Sequence, residues 1–212
     1  MTAFLKKRYA WIIFAVAAIA QFAVPFTAVM QKQDTLKNGA EFKLAARPVD
    51  PADAFRGRYV AINIDSEVSE EVILNTPEIQ EYLDDYKDFI YTDDGWDFIT
   101  SRRAVRYWAG GETAYIRLIE GADGFAEIAE ISSKPLEGEN VLKLRDMNFM
   151  FGTDSVRLPF DRYYMKEKAA PEAEAAYNRQ NGDAYVTLRV KNGDGVISGL
   201  YIDGVRIEDY IS

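Results

Sequence analysis

The clearest chemical signal in this chain is a run of arginines beside an aromatic pair. Arg102, Arg103 and Arg106 flank Tyr107-Trp108 in SRRAVRYW. A guanidinium fork suits carboxylates and phosphates, and an indole face suits apolar or sugar surfaces. Arg102, Arg103, Arg106 and Trp108 therefore form a candidate binding site. The competing reading pairs these arginines with surface acids. The excess of acids, 34 Asp and Glu against 25 Lys and Arg, favours that reading.

The chain has no His and no Cys. That removes Ser–His and Cys–His nucleophile pairs, and zinc sites of the usual ligand set. A Ser–Lys hydrolase survives the exclusion, and Ser66, Ser101, Ser132 and Ser133 are its possible nucleophiles. None stands in a recognisable nucleophile context. Ser66 ends a strand, Ser101 precedes Arg102-Arg103, and Ser132-Ser133-Lys134 reads as a loop. No catalytic residue is assigned.

Asp84, Asp85, Asp88, Asp93, Asp94 and Asp97 form an acidic run. Carboxylate clusters can hold calcium, but this spacing lacks the D-x-D-x-D-G order of a calcium loop. A solvated face explains it better, and neither a metal nor a cofactor is expected. Asp123-Gly124 and Asp194-Gly195 read as hairpin turns. The 13 tyrosines suit either a core with cross-strand pairs or an interface, and the sequence leaves both open.

These residues need a scaffold, and its first element is apolar. Residues 11–30, WIIFAVAAIAQFAVPFTAVM, carry no charge. As a helix they span about 30 Å, the thickness of a bilayer core. Lys6, Lys7 and Arg8 precede them, and no basic residue follows before Lys32. The positive flank predicts a cytoplasmic N-terminus and a translocated C-terminal part. A cleaved signal peptide is the rival reading. Its apolar core is shorter, and Thr27-Ala28-Val29-Met30 is a poor cleavage site. Pro25 predicts a kink near the far end.

Residues 1–30 thus read as a basic tip and anchor, 31–40 as a juxtamembrane linker, and 41–212 as the extracytoplasmic domain. The formal net charge is −9, and residues 1–30 contain no acid. The domain is therefore acidic and is expected to have no electrostatic attraction for nucleic acid or for an anionic membrane surface. Without cysteine it has no disulfide, and its core alone must hold it.

Within the domain a strand starts at Glu41-Phe42-Lys43-Leu44. Arg47-Pro48-Val49-Asp50-Pro51 is extended, because a residue preceding proline is pushed out of the helical region. Residues 58–65 alternate, which predicts a strand with Val60, Ile62 and Ile64 facing the core. Residues 78–89, EIQEYLDDYKDF, have helical spacing after Thr76-Pro77, and 171–179, PEAEAAYNR, form a second short helix. Two segments share an order of Ala-Tyr, alternation, Asp-Gly and a second apolar run: 114–125 and 184–196. They read as β-hairpins, either duplicated modules or independent ones. The fold class is α+β: an N-terminal transmembrane helix, then a mainly antiparallel β domain with short helices.

Asp50-Pro51-x-Asp53-x-x-Arg56-Gly57-Arg58-Tyr59-Val60-x-Ile62-x-Ile64, following an apolar helix, resembles the GDYXXLXY family of bacterial membrane-anchored proteins. Gly57 and Tyr59 match its namesake motif, and Ile62 replaces Leu. Arg58 stands where Asp is usual, and Ile64 where Tyr is usual. Asp50, Pro51, Arg56, Gly57, Arg58, Tyr59 and Ile62 are thus family-motif positions with structural roles. The resemblance implies a single-pass protein of the bacterial inner membrane with a periplasmic domain. It also implies association with a multi-spanning membrane protein encoded nearby, and it assigns no activity. The function expected is a non-enzymatic accessory subunit of a membrane complex. The alternative is an extracytoplasmic domain that binds envelope ligands or hydrolyses them by a Ser–Lys mechanism.

Overall fold

The computed structural model describes residues 2–48, 59–81, 84, 113–145, 148–149, 155–179 and 183–211. The first element is α1, Thr2–Asn38, unbroken through Pro25. At ~1.5 Å per residue it is about 55 Å long. Residues 31–38, expected to be a linker, are its last two turns. All of them but Thr35 lie exposed, which suits a polar segment of helix, and Gln, Lys and Leu are good helix formers. Among the described residues, no helix is long and apolar enough to cross a membrane. The expected span at 11–30 therefore rests on the sequence.

The helix ends at Gly39, whose amide donates to the Thr35 carbonyl at 2.9 Å. Strand β1, Ala40–Pro48, begins at once. It pairs antiparallel with β9, Ala184–Lys191, and its far end pairs with β2, Tyr59–Glu67. β9 also pairs with β10, Asp194–Ile202, and β10 with β11, Val205–Arg206. The far side of β2 is shared. Its start pairs with β8, Arg162–Tyr164, and its end with β7, Ser155–Arg157. β6, Asn148–Phe149, closes that edge.

A smaller sheet sets β3, Thr113–Glu120, between β4, Ala126–Ser132, and β5, Val141–Arg145. Bridges Val68↔Ile128 and Leu142↔Gly193 join the two sheets. The mainly antiparallel α+β architecture is as expected. Val60, Ile62 and Ile64 are buried on β2, together with Ala61 from its other face.

Three short helices complete the described part. α2, Glu70–Leu74, starts where the Ser69 hydroxyl accepts from the Val72 amide. A helical turn over 77–81 follows Thr76, and the remainder of the expected 78–89 helix, apart from Asp84, lies outside the described residues. α3, Ala170–Arg179, buries Ala170, Ala173 and Tyr177 and packs on β2. α4, Ile207–Tyr210, buries Ile207.

The two similar hairpins are built differently. Between β3 and β4 the loop spans Gly121 to Phe125, and Asp123 accepts from the Phe125 amide at 2.9 Å. Between β9 and β10 the turn is Asn192-Gly193, with φ of 50° and 86°. Positive φ at both positions is the type I′ turn that matches strand twist, and it suits Asn-Gly. Asp194-Gly195, expected to be the turn, instead begins β10. The hairpins also lie in different sheets.

Tyr177 is fully buried, and its hydroxyl has no hydrogen-bond partner among the described residues. Burial pushes its ionisation well up. A buried hydroxyl without a partner costs stability that an apolar replacement recovers. Tyr177→Phe is expected to stabilise by about 1 kcal/mol, raising the thermal midpoint by roughly 2–4 °C. A lowered midpoint would show that the hydroxyl is satisfied.

Candidate functional site

The end of α1 is clamped to the β9–β10 hairpin. The Lys32 ammonium pairs with Asp194 and also donates to the Gly195 carbonyl at 3.3 Å. The Thr35 hydroxyl donates to the other Asp194 oxygen at 3.3 Å. Within the same turn, Asp34 pairs with Lys191 at 2.8 Å and accepts from Asn38 at 2.6 Å. Hydrogen bonds from Lys191 and Asn38 hold the Asp34 carboxyl below the usual aspartate range.

Beside this clamp lies an open groove of about 640 Å³. Gln31 and Lys32 form one wall, and β5 forms the other. Strand alternation puts Lys143 and Arg145 on one exposed face, while Leu142 and Leu144 turn to the core. Tyr115, opposite Lys143 on β3, lies under its ammonium at 5.8 Å from the ring centre. The Lys143 amide donates to the Gly193 carbonyl, and the Gly193 amide donates to Val141, each at 2.9 Å. These bonds bring the hairpin turn to the groove. Half-buried Phe160 lines it and also lines a second groove of about 390 Å³, which includes Arg162 and exposed Tyr164.

Three cations thus face one opening in a chain of net charge −9. Asp194, the acid among them, is already held by Lys32. Among the described residues, no ion pair engages Lys143 or Arg145. The arrangement suits an anion.

Ser132 lies elsewhere, at a groove of about 410 Å³ between the 77–81 turn and β4, with Ser133 next to it in the chain. Both hydroxyls donate to one Glu78 oxygen, at 3.2 and 3.1 Å, and Ser132 accepts from the Lys134 amide at 3.0 Å. Burial pushes the Glu78 carboxyl up. Its own backbone amide, both serines and Lys134 outweigh that and hold it below the usual glutamate value. A carboxylate so stabilised is a poor base, and the contact ties two elements together. Ser66 is buried in β2.

A third cluster closes the C-terminal end. The Tyr163 hydroxyl donates to Glu208 at 2.6 Å, and Arg206 donates to Glu208 at 3.0 Å and to the Ser198 carbonyl at 3.2 Å. Burial, reinforced by the Glu208 contact, pushes the Tyr163 hydroxyl up to about 12. Arg206 is tied to the main chain through Ser198, and Tyr163 also lines the second groove.

Of the family-motif positions, Tyr59 and Ile62 are described. Ile62 is buried. Tyr59 opens β2 opposite Tyr164, with ring centres 5.9 Å apart and the Arg162 guanidinium 5.1 Å from its ring. Asp50, Pro51, Arg56, Gly57 and Arg58 lie outside the described residues, as do Ser101, Arg102, Arg103, Arg106 and Trp108. Of the acidic run only Asp84 is described, and it is exposed. Among the described residues, no group of acids is placed to hold a metal ion.

Sequence reasoning passed over Lys32, Lys143 and Arg145. The alternation of Val141-Leu142-Lys143-Leu144-Arg145 was the available signal that two cations share a face. A family model described as GDYXXLXY protein matches residues 21–200. No curated protein and no solved structure matches the chain.

Proposed function

The chain belongs to the GDYXXLXY family, and from that premise we propose that it is a non-enzymatic, membrane-anchored accessory subunit of an envelope membrane complex. Its anchor is residues 11–30, its N-terminus is cytoplasmic, and its β domain stands in the periplasm beside a multi-spanning partner. The observation that carries this reading is the clamp of Lys32, Thr35 and Asp34 onto the β9–β10 hairpin. It makes the helix and the domain one lever, so a partner that grips the helix also orients the domain.

Several features support the anchor. The charge-free sequence continues back through Ala15 and Ile12 to Trp11. The described side chains of this stretch are bare: Phe14, Ile19, Phe22, Val24 and Phe26 are each at least 65% exposed. So much exposed apolar surface needs lipid or a protein partner. Thr27 donates to the Val24 carbonyl at 2.9 Å, which satisfies its hydroxyl without water. The serines at Glu78 offer nothing that favours hydrolysis.

Purification of the tagged full chain from native membranes, in mild detergent and after crosslinking, tests the proposal. A larger membrane protein should be recovered with it in fixed proportion. Recovery of the monomer alone under both conditions would refute it.

A further inference from the structure

We propose that the groove between the end of α1, β5 and the β9–β10 turn binds the phosphate of an anionic phospholipid headgroup in the outer face of the membrane. The proposal rests on the anchor reading above. If the span ends at Met30, Gln31 and Lys32 lie about 1.5 and 3 Å beyond the hydrocarbon edge. The headgroup layer is roughly 5–8 Å deep on each side. Both residues line the groove, so its mouth lies at headgroup depth.

The clamp keeps it there. Lys32 is bonded to Asp194 and Gly195, which line the same groove, so the helix and the domain meet at this point. Lys143 and Arg145 then face the headgroup layer from the strand opposite. A guanidinium fork and an ammonium are both suited to phosphate oxygens. Exposed Tyr164, which lines the adjoining groove with Phe160, is an aromatic of the kind that settles at membrane interfaces. The local charge is positive although the chain is acidic as a whole, and a basic cluster is what attracts an anionic headgroup. A protein partner bound to the same cations would have to share the headgroup layer, so lipid is the occupant proposed.

The test uses the full chain in a neutral detergent, titrated with dihexanoyl phosphatidylglycerol, dihexanoyl phosphatidylcholine and glycerol 1-phosphate, with binding read by calorimetry. Saturable binding of phosphatidylglycerol is expected, at least tenfold tighter than of phosphatidylcholine. The double variant Lys143→Gln/Arg145→Gln should weaken it about tenfold while leaving the thermal midpoint unchanged, because both side chains are exposed. A matched variant, Lys166→Gln/Lys168→Gln, removes two exposed charges outside the groove and should bind as the unaltered protein does. Equal loss in both variants would overturn the site in favour of general charge attraction. No loss in the groove variant would overturn it outright. Glycerol 1-phosphate binding as tightly as phosphatidylglycerol would overturn the lipid assignment in favour of a free phosphate ester. Alkaline extraction of membranes reports the anchor separately: release of the unaltered protein would sink the anchor reading, whatever the titrations gave.

Discussion

Gly39→Ala is expected to lower the thermal midpoint of the full chain by roughly 5–10 °C, a loss of about 2–3 kcal/mol. A β-carbon at this position would lie 2.5 Å from the Thr35 carbonyl oxygen and 2.9 Å from the Val190 carbonyl oxygen. Both are main-chain atoms, one in the last turn of α1 and one in the central strand β9. Neither can move aside as a flexible side chain could. The helix end would have to shift away from the sheet, straining the Lys32–Asp194 and Asp34–Lys191 contacts together. The cause is close approach of two backbones, so Gly39→Ser should behave like Gly39→Ala. Asn38→Ala removes only an exposed bond to Asp34 and should cost less than about 0.5 kcal/mol. A Gly39→Ala midpoint within a degree of the original would mean that α1 and β9 do not meet as described.

The coupling that this glycine permits was hidden in the sequence for a physical reason. Residues 31–38 are polar, and polarity after an apolar run reads equally as linker or as exposed helix. What decides is tertiary: Lys32, Asp34 and Thr35 find partners on a hairpin at the other end of the chain. By contrast, β2 and α3 were legible because local pattern and burial agree. Val60, Ile62 and Ile64 alternate into the core, and Pro171-Glu172 opens a helix whose Ala173 and Tyr177 turn inward. α2 could also have been read, since Ser69 before Glu70-Glu71 is a capping signal.

The misplaced hairpin turn shows where periodicity stops being decisive. Asn192-Gly193-Asp194-Gly195 offers two adjacent turn dipeptides. Moving the turn from one to the other shifts the pairing of β9 with β10 by an even number of residues. An even shift leaves Val186, Leu188 and Val190 on the same face, so alternation cannot choose between them. The preference of Asn-Gly for a type I′ turn points one way. The partners of Asp194 on α1 point the same way, because that carboxylate must stand at the start of β10 to reach Lys32. The groove was illegible for a similar reason. Lys143 and Arg145 look like the ordinary polar face of a strand, and only the bridge from β5 to Gly193 sets them opposite Lys32.

Acid is expected to loosen the C-terminal closure before the cores, and Glu208 should account for part of that. Burial pushes the Glu208 carboxyl up. Hydrogen bonds from Tyr163 and from its own backbone amide, with the Arg206 charge, outweigh burial and hold it below the usual glutamate value of 4.5. A carboxyl whose folded value is depressed adds stability that is fully present above its unfolded value and is lost as pH falls through the folded one. Asp34 and Glu78 are depressed likewise. Stability should therefore be level from neutrality to about pH 5 and decline below about pH 4.5. Glu208→Ala leaves the buried Tyr163 hydroxyl without its acceptor, since Arg206 only donates. The Glu208 side chain is 39% exposed, so solvent screening limits its charge contribution. The loss at neutral pH should be about 1.5–2 kcal/mol, most of it from the stranded hydroxyl. Adding Tyr163→Phe to Glu208→Ala removes that hydroxyl and should recover part of the loss, so the two changes should not add. Thermal midpoints of the two single variants and the double variant at pH 7 and pH 4 measure both effects. Additive losses at pH 7, or a Glu208→Ala variant that loses as much stability on acidification as the unaltered chain, would show that this cluster is neither coupled nor a source of acid sensitivity.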